Sequence, residues 1–178
     1  HVASGSVEVL GKKADIKCPR DAINSSVGMI TEDRRGTGIF GCLSIDDNTA
    51  IASYNHYTKL GKINKSKVDE VVKDSISKLS IKTPSGKTLI RSLSGGNQQK
   101  VILSREISEE AGLIVASQPT RGLDIGATQF VHETLLRQRD AGRCVLLISA
   151  DLDEILGVSD RVAVMYEGRI IGILNRDE

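Results

Sequence analysis

Two consecutive glycines stand directly before a helix predicted over 97–110, in the segment RSLSGGNQQK at residues 91–100. Glycines in this place leave backbone N–H groups pointing outward at the positive end of the helix, and Ser94 adds a hydroxyl group. Together these groups could bind a phosphate. A plain turn with an N-cap has the same composition, so spacing alone leaves both interpretations open.

A second segment, LIVASQPTRGLDIGA at 113–127, predicts a buried strand that ends in Ser117 and Gln118 and is stopped by Pro119. In phosphate-hydrolysing α/β proteins, such a strand end usually holds one acid for Mg²⁺ and another for the attacking water. A hydroxyl and an amide can form hydrogen bonds, but they neither neutralise a divalent cation nor take a proton. We therefore predict neither a metal site nor a catalytic residue here, and the pair could equally be structural.

The segment KTPSGKT at 82–88 contains part of the P-loop pattern. That pattern requires a glycine five residues before Gly86, and Ile81 stands there instead. No buried strand precedes the segment to aim such a loop. We predict a surface turn here, and the sequence contains no other P-loop.

The composition is that of one soluble globular domain. The chain has 178 residues, 39% of them hydrophobic, and 24 Lys and Arg residues against 23 Asp and Glu. This near-neutral balance predicts no nucleic-acid or membrane partner, and no apolar stretch is long enough to span a bilayer. The three cysteines, Cys18, Cys42 and Cys144, lack metal-site spacing, which favours buried reduced thiols.

Hydrophobic periodicity predicts a parallel-sheet α/β core interrupted by a helical insertion of about 65 residues. The all-apolar strand at 143–149 suggests burial on both faces. The predicted elements are a hairpin at 6–13, a short helix at 19–26, a strand at 27–31, helices starting at Ser44, at 66 and at 97, a strand at 113–117, a helix at 127–142, the strand at 143–149, a short helix from 151 and a hairpin turning at Glu167-Gly168.

As a set, the phrases SLSGGNQQK, QPTRGLDIGA, LLISADLDEIL and SDRVAVMYEGRIIG resemble the ATP-binding subunits of ABC transporters. They are most similar to the second, C-terminal nucleotide-binding half of the tandem importers for simple sugars and nucleosides, of the ribose or galactose type. The resemblance covers nearly all of residues 1–178. It implies a P-loop NTPase-type α/β fold with a parallel sheet, a signature-bearing helical subdomain at 38–110 and a small antiparallel β part. It also implies that the P-loop, with its strand and helix, lies upstream of His1.

The resemblance also implies a role for individual residues. The signature motif, which would contact ATP held by an opposing half, is matched by Leu93, Ser94, Gly95, Gly96, Asn97 and Gln98. Asp124 matches the aspartate of the D-loop that crosses to that half. The remaining positions depart from the family: Glu32 stands for the Q-loop glutamine, Ser117 and Gln118 for the two acids of Walker B, and Ala150 for the switch histidine.

The implied function is one ATP-binding half of an importer that supplies its signature in trans, while its own site is degenerate. The complete subunit would use ATP and Mg²⁺, but the chain alone is expected to bind neither tightly and to be inactive. Expected partners are the N-terminal nucleotide-binding half of the same subunit, the permease subunits and, indirectly, a substrate-binding protein. No nucleic acid is expected, and the location would be peripheral, on the cytoplasmic side of the cell membrane.

Two alternatives belong to other functional classes. The chain could be only a non-catalytic binding or dimerisation module. It could also belong to an ABC-type ATPase of DNA repair or chromosome structure. That class would require a coiled-coil insertion, and the helical segment shows no sustained heptads.

Overall fold

The computed structural model describes residues 4–107 and 111–176. The helices are α1 (Pro19–Asn24), α2 (Ile45–Ala50), α3 (Lys65–Lys78), α4 (Gly95–Glu106), α5 (Ile125–Asp140) and α6 (Leu152–Val158). The strands are β1 (Glu8–Val9), β2 (Lys12–Lys13), β3 (Val27–Ile30), β4 (Thr58–Lys59), β5 (Lys62–Ile63), β6 (Leu113–Ser117), β7 (Cys144–Ile148), β8 (Arg161–Tyr166) and β9 (Arg169–Asn175). Short 3₁₀ turns span Ile51–Tyr57 and Ile90–Ser92, and a π-helical turn spans Arg34–Gly38.

The central sheet is parallel and has the order β3-β6-β7. Ile30 pairs with Ala116, and Ala116 pairs with Leu147, so the inward side chains of the three strands share one face. Helix α5 connects β6 to β7, as a parallel crossover requires. This confirms the predicted α/β class. The predicted strands at 113–117 and 27–31 and the hairpin at Glu167-Gly168 are also confirmed.

Only one face of this sheet is fully covered among the described residues. Ile30, Ile114 and Ala116 on that face are buried with α4 and α5 side chains. On the opposite face, Leu146 and Ile148 are 51% and 50% exposed. The prediction that β7 is buried on both faces is therefore wrong. The strand lies at the sheet edge, and the described elements cover its inner face only.

Helix α4 joins the sheet to the helical segment. Ile102 and Leu103 pack into the sheet core, whereas Val101 packs in a second cluster with Ile45 and Ile90. The helix begins at Gly95, so the two glycines form its first turn rather than a turn before it. Of the predicted span 97–110, residues 108–110 lie outside the described ranges.

The helical segment contains the predicted amphipathic helix, α3, which buries Val68 and Val72. It also contains a small hairpin, β4–β5, which was not among the predicted elements. The bounds 38–110 of a separate subdomain stay a prediction.

The three cysteines are exposed, which contradicts the prediction of buried thiols. Cys18 is the N-cap of α1, and Cys144 lies on the open face of β7. None of the described helices is both long and apolar enough to cross a membrane.

The hydrogen-bonded phenol of Tyr54, in the helical segment, makes the stability of the protein fall at alkaline pH. Tyr54 donates to Asp47 Oδ1 at 2.9 Å. Burial, followed by this bond, raises the pKa of Tyr54 from 10.0 to about 12. Because the folded pKa is the higher one, this stabilisation is complete below pH 10 and is lost as pH rises towards about 12. Thermal melts should show the midpoint of wild type falling relative to Tyr54→Phe across this range. Parallel curves for the two proteins would contradict the assignment.

Candidate functional site

The first turn of α4 has the donors of an anion site. Ser94 is the N-cap and is exposed, and its Oγ accepts a hydrogen bond from Asn97 Nδ2 at 2.9 Å. The hydroxyl proton therefore remains free to donate outward. The first N–H groups of an α-helix have no partner within the helix, and they carry its partial positive charge. This end of α4 can bind a phosphate oxygen.

Close packing requires the second glycine of the turn and leaves little room beside the first. A Cβ on Gly95 would lie 3.0 Å from Arg34 Nη2, and a Cβ on Gly96 would lie 2.8 Å from the Cβ of Ala127. The signature turn thus lies against the loop after β3 on one side and against the start of α5 on the other. The structure brings together three segments that are far apart in sequence.

Arg34 lies at this junction, although its place in the sequence predicted no functional role for it. Its Nη1 donates to the Arg121 carbonyl at 3.4 Å, and its Nε is buried without a hydrogen-bond partner in the described structure. Burial, and secondly the charge of Arg35, lower the pKa of Arg34. Glu32 does not neutralise it, because Glu32 pairs with Arg121. An incompletely satisfied guanidinium therefore lies beside the signature turn.

An open, charged cleft lies at this junction, and it is lined by Glu32, Asp33, Arg34, Arg35 and Arg121. The available signal in the sequence was the charge run EDRR at 32–35, which indicated only a loop. Glu32, at the Q-loop position, lies in this cleft and forms the ion pair with Arg121. The cleft holds three cationic side chains against two carboxylates.

The end of β6 retains a defined geometry but has no acid. Gln118 has a left-handed backbone, with φ 45°, and its N–H donates to the Ile148 carbonyl at 2.8 Å. The next residue, Pro119, is buried, and its carbonyl accepts a bond from Gln99 Nε2 at 2.8 Å. Ser117 and Gln118 are therefore held firmly at the carboxyl end of the sheet.

These residues do not fit a divalent cation. Ser117 and Gln118 are neutral, whereas Mg²⁺ prefers carboxylate oxygens. In residues 4–107 and 111–176, no group of three or more His, Cys, Asp or Glu side chains could hold a metal ion. We derive no chemical step through Mg²⁺ at this strand end.

Two further positions implied by the family resemblance lie in loops at the same end of the sheet. Asp124 is exposed and is the N-cap of α5, where its Oδ1 accepts from the Ala127 N–H at 2.8 Å. Ala150 is exposed, directly before the N-cap of α6 at Asp151. A methyl group there can neither donate a hydrogen bond nor take a proton.

The amide side chains after the signature turn point into the protein. Gln98 is 2% exposed, and its Nε2 donates to the carbonyls of Ile90 and Leu93. Asn97 Oδ1 accepts from the Lys82 N–H at 2.8 Å. These contacts position the signature turn, so any effect of Gln98 on a nucleotide is indirect.

The Gly96–Ala127 approach predicts coupling between α4 and α5. We expect Gly96→Ala to lower the free energy of unfolding by about 1–2 kcal/mol, because the new methyl group overlaps Ala127. Adding Ala127→Gly restores the space, at roughly 1 kcal/mol of helix propensity. Urea denaturation of both single variants and the double variant measures the coupling. Strictly additive losses would contradict the contact.

The fold defined by this sheet and helix start is that of the ABC ATPases. The chain matches no protein-family model. Its structure aligns with the ATP-binding cassette MJ0796, in a dimeric post-hydrolysis state bound to ADP and Pi, with a TM-score of 0.79 at 16% identity over 98% of this chain and 74% of that one. It aligns with cbiO1 from Clostridium perfringens, part of the ABC transporter complex cbiONQ, with a TM-score of 0.76 at 20% identity over 98% of this chain and 67% of that one.

Sequence comparison with curated proteins narrows the class of ABC ATPases that the chain resembles. The chain is 43% identical over 177 residues to the guanosine import ATP-binding protein NupO of Bacillus subtilis. It is 38% identical over 177 residues to the ribose import protein RbsA, and 38% identical over 178 residues to the galactose/methyl galactoside import protein MglA, both ATP-binding proteins of Clostridium tetani. These matches cover 98–99% of this chain but only 35% of each relative, within its C-terminal half. The chain is thus homologous to the C-terminal part of ABC importer ATP-binding proteins, and the resemblance stated from its sequence is confirmed.

Proposed function

We propose that the chain is part of an ATP-binding half that energises uptake of a simple sugar or nucleoside by an ABC importer. Its chemical contribution is the signature turn, offered in trans to ATP held by an opposing half. The observation that carries this proposal is the junction at Gly95. There an exposed Ser94 hydroxyl, the open start of α4 and the Arg34 guanidinium lie together. Donors and a cation placed in this way stabilise charge on a terminal phosphate.

The chain's own strand end contributes binding or regulation rather than hydrolysis. Ser117 and Gln118 can hydrogen-bond a nucleotide or orient a water, but neither can act as a general base. Ala150 cannot replace a histidine at the switch position. Asp124, at the exposed start of α5, would approach the opposing half through the loop that it ends. Hydrolysis in the complete subunit is therefore asymmetric.

The expected partners follow from this arrangement. The opposing half is the N-terminal nucleotide-binding half of the same subunit. The helical segment contacts the permease subunits, which in turn receive the transported molecule from a substrate-binding protein. This places the chain at the cytoplasmic side of the cell membrane as a peripheral component. The names of the relatives, which are import ATP-binding proteins for ribose, galactose and guanosine, support this proposal.

Nucleotide titration separates this proposal from that of an autonomous ATPase. We expect the 178-residue chain, checked for folding by circular dichroism, to show no tight binding of Mg-ATP in calorimetry. The complete subunit serves as the positive control. Tight binding of Mg-ATP by the chain alone would contradict the proposal, because it would require a metal site that the described residues do not form.

A further inference from the structure

Three hairpins in the described residues turn through two residues that both have positive φ. The turns are Leu10-Gly11, Leu60-Gly61 and Glu167-Gly168. Asparagine or aspartate followed by glycine is favoured in such turns, because a bulky side chain is strained in the left-handed region. Leucine is not favoured in this type of turn. We therefore expect Leu10 and Leu60 each to make a contact that offsets the backbone strain.

Leu10, although 67% exposed, has such a contact, whereas Leu60 has none among the described residues. A Cβ on Gly112 would lie 2.6 Å from Leu10 Cδ1, so the Leu10 side chain lies against the Gly112 backbone. Leu60 is 97% exposed, and Ile63 beside it is 45% exposed. The β4–β5 hairpin therefore presents apolar side chains to solvent.

The same hairpin is surrounded by unpaired positive charge. Lys59, Lys62, Lys65 and Lys67 are exposed, and none of the four forms an ion pair with another described residue. Between Asp47 and Asp69 the sequence contains no Asp, Glu or Arg. Although the whole chain carries only +1, this stretch has a strong local charge made of lysine alone.

Lysine with an exposed leucine fits a lipid surface better than a protein surface. Protein interfaces are depleted in lysine and enriched in arginine, which pairs bidentately with carboxylates. At a membrane, lysine stems lie along the apolar boundary while their ammonium groups stay at the lipid phosphates. We propose that the β4–β5 hairpin docks on the anionic headgroup surface of a membrane, with Leu60 inserted and Lys59 and Lys62 at the phosphates. This docking is independent of the proposed ATP site.

Vesicle sedimentation tests the proposal with the full chain. Vesicles of phosphatidylcholine alone are compared with vesicles containing about 30% phosphatidylglycerol. We expect binding only to the anionic vesicles, and weaker binding at higher salt. Lys59→Gln with Lys62→Gln should lower the partition coefficient roughly 30-fold, since each lysine near an anionic surface contributes about fivefold. Leu60→Asn should lower it about tenfold through lost apolar burial, while keeping a residue that suits the turn.

The β1–β2 hairpin provides a matched control. Lys12→Gln with Lys13→Gln removes the same charge beside the same Leu-Gly turn, and it should leave vesicle binding unchanged. Circular dichroism confirms that each variant is folded. Equal losses from the two lysine pairs, equal binding to both vesicle types, or a wild-type chain that remains in the supernatant would each overturn the proposal. The last result is the one expected if the hairpin contacts an acidic protein surface instead.

Discussion

Replacing Gly95 with aspartate in the complete ATP-binding subunit is expected to reduce ATP hydrolysis at least about 100-fold, the loss typical of removing a donor to developing negative charge. The first turn of α4 would gain a carboxylate where a phosphate oxygen should bind. A Cβ at this position would lie 3.0 Å from Arg34 Nη2, so the new carboxylate would also pair with that guanidinium. Both effects remove positive potential from the site. Steady-state ATPase assays at saturating ATP measure the loss.

A matched control separates the site from a general effect of added charge. Ser66 is exposed and lies in the first turn of α3, another helix of the same segment. Aspartate is well tolerated there because it interacts favourably with the helix dipole. Ser66→Asp should keep nearly wild-type ATPase activity. If both aspartates reduced hydrolysis equally, the special role of the α4 start would be lost.

The largest expected loss of stability comes from Gly28→Ala in β3. A Cβ at Gly28 would lie 2.4 Å from the carbonyl oxygen of Glu106, at the last residue of α4. The obstacle is backbone, so no rotamer change relieves it, and α4 must move away from the sheet. We expect the free energy of unfolding to fall by about 3 kcal/mol, as in strongly overpacked cores. Urea denaturation followed by circular dichroism measures this change.

Gly157 is the control for this substitution. It lies within α6, and a Cβ there would have no neighbour within 4 Å. Gly157→Ala should therefore leave stability unchanged or raise it by about 0.5–1 kcal/mol through helix propensity. Equal destabilisation by both alanines would show that the approach of β3 to α4 is not the cause.

The elements that the sequence predicted well are those whose signals are local. The strand 113–117 was marked by an apolar run and a proline, and the turn at Glu167-Gly168 by its glycine. The helix predicted from residue 66 by its hydrophobic periodicity is α3, which buries Val68 and Val72. The β4–β5 hairpin was missed although its short strands and Leu-Gly turn match those of the predicted β1–β2 hairpin, because it lies within a segment whose periodicity is mainly helical.

The predictions that were wrong or missing concern burial and contacts, which depend on the elements that pack against a residue. An all-apolar strand such as β7 can be central or at an edge, and its composition does not distinguish the two positions. Cys144 was predicted to be buried because the cysteines lack metal-site spacing, yet it lies on the open face of this strand. Arg34 could not be assigned from spacing, because its neighbours Gly95 and Arg121 are 61 and 87 positions away in the sequence. Gln98 looked like a site residue, but its position in the first turns of α4 aims its side chain inward.

Substitutions at the signature turn and at the end of β6 are expected to have different effects on the ATPase rate: a large loss at the first and little change at the second. Gly95 lies where an open helix start, a hydroxyl and a cation meet, whereas Gln118 is a neutral amide at a strand end without acids. The most direct test is therefore the ATPase rate of the complete subunit carrying either Gly95→Asp or Gln118→Ala, measured side by side. This assignment of roles predicts near-complete loss for Gly95→Asp and a change of less than about twofold for Gln118→Ala. A large loss for Gln118→Ala, together with retained activity for Gly95→Asp, would contradict it.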